Sequence, residues 1–157
     1  MEPKVSRRKI GLILGSLGIA PAQAQTQKSG TAIHQEVDFK ATPGRIYQAL
    51  LDAKQFSAFS NAAAEIQPQP GGTFKLFGGL IEGRNVELIP NQRIVQAWRP
   101  ASWPPGVYSI VKFELVPRGP GTRIVFDHAG FTEDKREHLT DGWRSHYWEP
   151  LRKYVDA

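Results

Sequence analysis

The stretch Leu88–Leu115 limits what this chain can fold into more than any other. Two of its segments alternate with the two-residue period of a β-strand, and each has one largely apolar face. In Arg93–Arg99, Ile94, Gln96 and Trp98 point one way, while Arg93, Val95, Ala97 and Arg99 point the other. In Val107–Leu115, Val107, Ser109, Val111, Phe113 and Leu115 lie opposite Tyr108, Ile110, Lys112 and Glu114. A Pro90-Asn91 turn precedes the first segment, and Trp103-Pro104-Pro105-Gly106 joins the two. Short connections of this sort imply antiparallel pairing, and the apolar face so formed must be covered.

The last segment supplies the cover. After Gly130 the period changes to that of a helix, first over Glu133–Leu139 and then over Thr140–Val155, with Thr140 or Asp141 as cap. Leu139, Trp143, Tyr147, Leu151 and Tyr154 fall in one stripe, and His146 falls inside it. Trp148 lies away from that stripe and is expected to pack elsewhere or at the surface. Pro150 is expected to kink the helix, because it has no N–H to donate.

The remaining elements read in order. Thr31–Lys40 is an edge strand, and Pro43–Leu51 is a short amphipathic helix capped by Thr42. Ala53–Ser60 is a second helix presenting Phe56 and Phe59, and Ala62–Ile66 is a further strand. Pro68–Gly72 turns the chain into the strand Thr73–Phe77. Leu80–Ile89 mixes polar and apolar residues with no assignable faces. Pro117–Gly121 is a tight turn, and Thr122–His128 alternates cleanly, with Ile124, Phe126 and His128 on one side. The expected fold is α+β: one curved antiparallel sheet of about six to seven strands wrapped on a long terminal helix.

Residues 1–24 read as an address. Lys4, Arg7, Arg8 and Lys9 precede the short apolar run Ile10–Ala20, and Ala22-Gln23-Ala24 fits a signal peptidase. Ser6-Arg7-Arg8-Lys9-Ile10 resembles a twin-arginine export signal, with a general secretory route as the alternative. The expectation is cleavage after Ala24, a flexible lead-in over 25–30, a domain over 31–155, and a periplasmic location. No stable membrane span is expected after cleavage. The leader carries four basic side chains and one acidic, so the formal charge of +5 falls to +2 without it. That charge, with no basic run after Ala24, argues against nucleic acid as a partner. The absence of cysteine excludes thiol nucleophiles, thiolate metal sites and disulfides.

Three runs carry a resemblance. They are Gly72-Thr-Phe-Lys-Leu-Phe-Gly-Gly79; Glu87-Leu-Ile-Pro-Asn-Gln-Arg-Ile-Val-Gln-Ala-Trp-Arg99 with Ser102-Trp-Pro-Pro-Gly106; and Gly142-Trp-Arg-Ser-His-Tyr-Trp148. Together they resemble the C-terminal domain of the activators of Hsp-90 ATPase and their bacterial homologues. That group lies within the START-like, Bet v 1-like (SRPBCC) superfamily. The resemblance covers about Thr31 to Val155 and implies the helix-grip fold, with a cavity between sheet and helix. A fold of this kind hosts carriers, receptors, cyclases and co-chaperones, so it does not fix an activity.

The alternation independently nominates a lining: Phe74, Leu76, Trp98, Phe113 and Phe126 from the sheet, with Trp143, Tyr147 and Leu151 from the helix. Four polar residues share those faces, namely Gln96, Ser109, His128 and His146. Buried polar groups need internal partners, water or a ligand, and a few of them in an apolar cavity orient a small hydrophobic molecule. The leading expectation is therefore a carrier or sensor of a small hydrophobic molecule or lipid. One alternative is a protein-interaction module of the co-chaperone type, using Trp103, Pro104 and Pro105 as a stiff loop that meets a partner or closes the cavity mouth. Another is a cavity enzyme with His128 and His146 as acid and base. No G-x-S-x-G, H-E-x-x-H, phosphate-loop or dinucleotide motif occurs, so no cofactor and no metal are expected.

Overall fold

A computed structural model describes residues 31–157. The leader and lead-in assigned to residues 1–30 lie outside the described residues. The elements are β1 (Ala32–Phe39), α1 (Pro43–Leu51), α2 (Ala53–Ser60), β2 (Glu65–Ile66), β3 (Thr73–Leu76), β4 (Ile81–Ile89), β5 (Arg93–Pro100), β6 (Ser109–Arg118) and β7 (Gly121–Ala129). A helical segment follows, made of a 3₁₀ turn (Glu133–Lys135), α3 (Arg136–Gly142), a π-helical stretch (Trp143–Trp148) and α4 (Glu149–Val155). The seven strands form one antiparallel sheet in the order β1-β7-β6-β5-β4-β3-β2. Six strands thus run as a meander, and α1 and α2 carry the chain from one edge of the sheet to the other. The fold is the α+β helix-grip arrangement expected from the sequence.

Local chemistry accounts for the boundaries. Thr42 Oγ1 accepts from the Arg45 N–H at 3.3 Å, and Pro43 takes the first helical turn, where a missing donor costs nothing. Asp52 ends α1 in extended conformation and caps α2, accepting from the Gln55 N–H at 2.9 Å. The far end of α4 is tied to this region. Arg45 donates to the carbonyls of Val155 and Tyr154, and the Lys40 and Ala41 N–H groups donate to Asp156.

The inward faces of β5 to β7 follow the alternation: Ile94, Trp98, Val111, Phe113, Leu115, Ile124 and Phe126 are all buried. Val107 departs from it. The strand begins only at Ser109, and Val107 is exposed in the preceding loop. The strand expected over Ala62–Ile66 shrinks to two residues at the sheet edge.

β4 resisted a face assignment for a physical reason. The β4–β5 register slips between Asn85 and Glu87, leaving Val86 as an extra residue, 53% exposed. A bulge of this sort shifts the inward set by one residue, so Asn85 faces the core before it and Leu88, opposite Ile94, after it. On the same strand Gly83 lies under the Phe74 ring. A Cβ there would stand 2.5 Å from Phe74 Cζ and 2.0 Å from the Ala97 carbonyl oxygen.

The terminal helix differs most from expectation. It is already helical from Glu133, and Thr140 lies inside it, donating its hydroxyl to the Arg136 carbonyl instead of capping. Trp148 is buried, 4% exposed, where a regular helix would set it about 140° around from Trp143. The π stretch resolves this. The Glu149 N–H bonds to the carbonyl of Arg144, five residues back, so the wider turn brings residues four and five apart onto one face. Trp143, Tyr147 and Trp148 all point inward, and Trp143 stacks on Trp148 with centroids 5.8 Å apart. Pro150 follows in α4 without the N–H that would bond the His146 carbonyl, and the helix accommodates this in the widened turn before it. No helix among the described residues is long and apolar enough to cross a membrane.

Candidate functional site: a cleft at the helix–sheet mouth

Most of the space between sheet and helix is filled by side chains. Phe113, Phe126, Trp143, Tyr147 and Trp148 pack edge-to-face and tilted, with centroids 4.3–6.4 Å apart. Such contacts stabilise a core beyond simple burial. Near Phe74, Leu76, Gln96 and Phe113 only a void of about 10 Å³ remains, room for at most one water. Leu151, Phe126, Phe74, Leu76 and Phe113 are therefore core residues, not walls of a large chamber.

A cleft of about 300 Å³ opens at one end. Trp98 and Pro100 of β5, the Phe77-to-Ile81 connection, and Leu139, Trp143 and Tyr147 of the helix surround it. Ser102, His138 and His146, all exposed, also line it and give it a polar rim. Phe77 reaches the cleft from an unusual backbone. Its φ is +54°, and Gly78 and Gly79 follow at +67° and +92°. A bulky residue in the left-handed region is rare and costs of the order of 1 kcal/mol or more. Here that turn lays the Phe77 ring 5.5 Å from Tyr147 and 6.0 Å from His146.

The nominated polar residues divide. His128 and Ser109 belong to a closed chain of donors. Trp143 Nε1–H donates to His128 Nδ1 at 2.9 Å, and His128 Nε2–H donates to Ser109 Oγ at 2.8 Å. The Ser109 hydroxyl in turn donates to the Trp98 carbonyl at 2.8 Å. Because an indole N–H can only donate, Nδ1 must be bare and Nε2 must hold the proton. The Ser109–His128 pair thus runs the wrong way for nucleophilic catalysis, which needs Nε2 free to take the serine proton. Burial pushes the His128 pKa down to about 4, keeping it neutral. Asp127 is on the outer face, where it accepts from His34 at 2.6 Å.

Gln96 is likewise satisfied. Its Nε2 donates to Asn85 Oδ1 at 3.0 Å, and Asn85 Nδ2 donates to the Gln67 carbonyl at 3.0 Å. Only the bulge puts Asn85 there. His146, expected among the apolar residues, sits instead at the rim of the cleft, since the turn that buries Trp148 carries His146 outward. It does not meet His128 in an acid–base pair.

The Trp103 loop is anchored more firmly than its sequence suggested. Arg99, 6% exposed despite its outward-facing position, donates to the carbonyls of Val107, Trp103 and Pro104, pairs with Glu82, and lies 5.7 Å from the Tyr108 ring centre. Trp103 is half-buried against the core, leaving Pro104 and Pro105 exposed. Of the nominated lining, Trp98, Trp143, His146 and Tyr147 meet in the cleft. Phe77, Leu80, Ile81 and His138 were not nominated. The one sequence signal for the first two was an apolar residue on each side of a Gly-Gly pair.

Residues 40–156 match the family model described as Activator of Hsp90 ATPase homolog 1-like protein. The chain belongs to that family. The human activator of 90 kDa heat shock protein ATPase homolog 1 is 24% identical over 139 residues, covering 85% of this chain and 41% of that protein. The mouse homolog 2 is 29% identical over 125 residues, covering 80% and 38%. The chain thus spans about two fifths of the length of these curated relatives. Among solved structures, an HSP90 activator from Plasmodium falciparum superposes with TM-score 0.71 at 24% identity, covering 75% of this chain and 91% of that one. CalU16 from Micromonospora echinospora gives 0.69 at 21%, covering 79% and 75%. These two likenesses establish the shared fold.

Proposed function

We propose that this family member binds a small, largely apolar molecule in the cleft at the helix–sheet mouth. The observation that carries this reading is the cleft itself. It is walled by Phe77, Trp98, Trp143 and Tyr147, and its volume of about 300 Å³ stands at the lower end of ligand pockets, roughly 300–1,000 Å³. The left-handed Phe77 turn supports the reading, because backbone strain of this kind collects at ligand sites. The partners of His128, Trp143 Nε1–H on Nδ1 and Ser109 Oγ on Nε2, support a structural role for that histidine. We further propose that residues 1–24 are a leader removed after Ala24 and that the mature chain works in the periplasm. A mature N-terminus at Gln25 in protein isolated from its host supports this, and an intact Met1 end overturns it.

Gly142 supplies the test of the cleft. It lies on the cleft wall, and a Cβ there would meet nothing within 4 Å, so Gly142→Phe is expected to occupy cleft space. Native mass spectrometry of wild-type protein from its host is expected to show a stoichiometric small molecule, released on denaturation and absent from Gly142→Phe. A clean apo mass in both, unchanged by host lipid extract, counts against the reading.

A second reading is a protein-binding module, favoured by relatives named as activators of the 90 kDa heat shock protein ATPase. Tyr108 and Ile110, 48% and 47% exposed beside the Trp103 loop, offer an apolar surface for it. Calorimetric titration against the host's own Hsp90 decides this reading, with Trp103→Ala and Ile110→Ser as the disrupting variants.

A further inference from the structure

Among the described residues, two buried side-chain polar atoms have no hydrogen-bond partner: Trp98 Nε1 and the Tyr147 hydroxyl. They come from opposite walls of the cleft, Trp98 from β5 and Tyr147 from the π turn. Burial drives the Tyr147 pKa upward, so its hydroxyl keeps its proton and is a donor like the indole N–H. Elsewhere this interior is fully provided for: Asn85, Gln96, Ser109, Thr122 and His128 each have partners. A buried donor left unpaired destabilises the fold, and here two such donors belong to residues that line the same cleft.

Resting on the reading of the cleft as a ligand site, we infer that its ligand is an aromatic carbonyl compound whose oxygen accepts from both Trp98 Nε1–H and Tyr147 O–H. The indole can only donate, so the ligand atom must be an acceptor. A carbonyl oxygen has two lone pairs and takes both donors at once. A ligand hydroxyl leaves one proton unpaired whether it donates to Tyr147 or accepts from both groups. A carboxylate is disfavoured, because no Lys or Arg lines the cleft to offset its buried charge. The ring system follows from the walls: Phe77, Trp98 and Trp143 offer faces and edges suited to another aromatic ring. Both polar atoms are closed to water, so the oxygen enters as the two rings part slightly, a side-chain adjustment common on binding.

Two probes of matched shape test this, acetylnaphthalene and ethylnaphthalene, which differ by the carbonyl oxygen. Calorimetry on the full mature protein is expected to give the ketone about tenfold tighter binding. Tyr147→Phe should cut that preference to about threefold or less and leave ethylnaphthalene unchanged. The variant should melt at or above the wild-type temperature, because it removes an unpaired hydroxyl. The infrared carbonyl stretch of bound acetylnaphthalene should lie below its value in hexane and move back toward it in Tyr147→Phe. Equal affinity for the two probes overturns this inference and leaves the cleft reading intact. Failure of both probes to bind, while a different host molecule is displaced by Gly142→Phe, also overturns it. Failure of both with no host molecule found removes the two readings together.

Discussion

The Trp143 indole N–H donates to His128 Nδ1 at 2.9 Å, and this contact between helix and sheet fixes the histidine as the neutral Nε2–H tautomer. A group held neutral by burial makes stability depend on pH. The folded pKa, about 4, lies below the ordinary value of about 6.5, so the unfolded chain takes up the proton first. His128 contributes its full stabilisation above pH 6.5, and this is lost progressively as pH falls from 6.5 toward 4. The expected loss is roughly 3 kcal/mol. Urea unfolding across that range measures it, and His128→Gln should flatten the dependence. A nitrogen-detected NMR titration should show the native ring still neutral at pH 5.

Trp143→Phe should keep most of the aromatic packing while leaving Nδ1 without its donor. The expected cost is about 2–3 kcal/mol from the unpaired acceptor and the lost ring volume. Chemical denaturation gives the value. A native-like stability in this variant would mean that the indole hydrogen bond is dispensable.

Arg99→Met should free the Trp103 loop, which hangs on this guanidinium through three carbonyls. Stability is expected to fall by about 1–3 kcal/mol, and limited proteolysis should cut between Ala101 and Tyr108. Arg99→Lys should not restore resistance, since an ammonium cannot span the same fork of acceptors.

Gly142→Ala should stabilise the protein by about 0.5–1 kcal/mol. Alanine is the better helix former, and the new methyl meets open space. Thermal unfolding reads the gain. The same position with phenylalanine should be neutral for folding but not for ligand retention.

Asn85→Leu should leave Gln96 with a buried, unpaired amide, at an expected cost of about 1–3 kcal/mol. The double variant Asn85→Leu with Gln96→Leu should recover part of it, because both partners of the hydrogen bond are then apolar. A double-mutant cycle in urea separates the two cases.

Much of the fold was legible in the sequence because it rests on short-range physics. The alternation of Ile94, Gln96 and Trp98 set the inward face of β5, and Thr42-Pro43 set the start of α1. Three motifs carried the resemblance to the family, and the match of the family model over residues 40–156 shows membership. The cleft was only half legible. Trp98, Trp143 and Tyr147 could be nominated from periodicity, but not separated from Phe113, Phe126 and Leu151, which the same periodicity places inside.

What only the tertiary structure decided comes from breaks in periodicity and from contacts between distant segments. A one-residue bulge at Val86 turned Asn85 onto Gln96, and a π turn brought Trp148 inward and sent His146 to the rim. Each break shifts every side chain that follows it, and no local preference announces either one. Whether His128 is a base or a spacer, and whether Trp98 and Tyr147 lack partners, depended on atoms that meet only when helix closes on sheet. The sequence by itself determined the two periodic surfaces, and the way they close determined which polar groups are left with something still to bind.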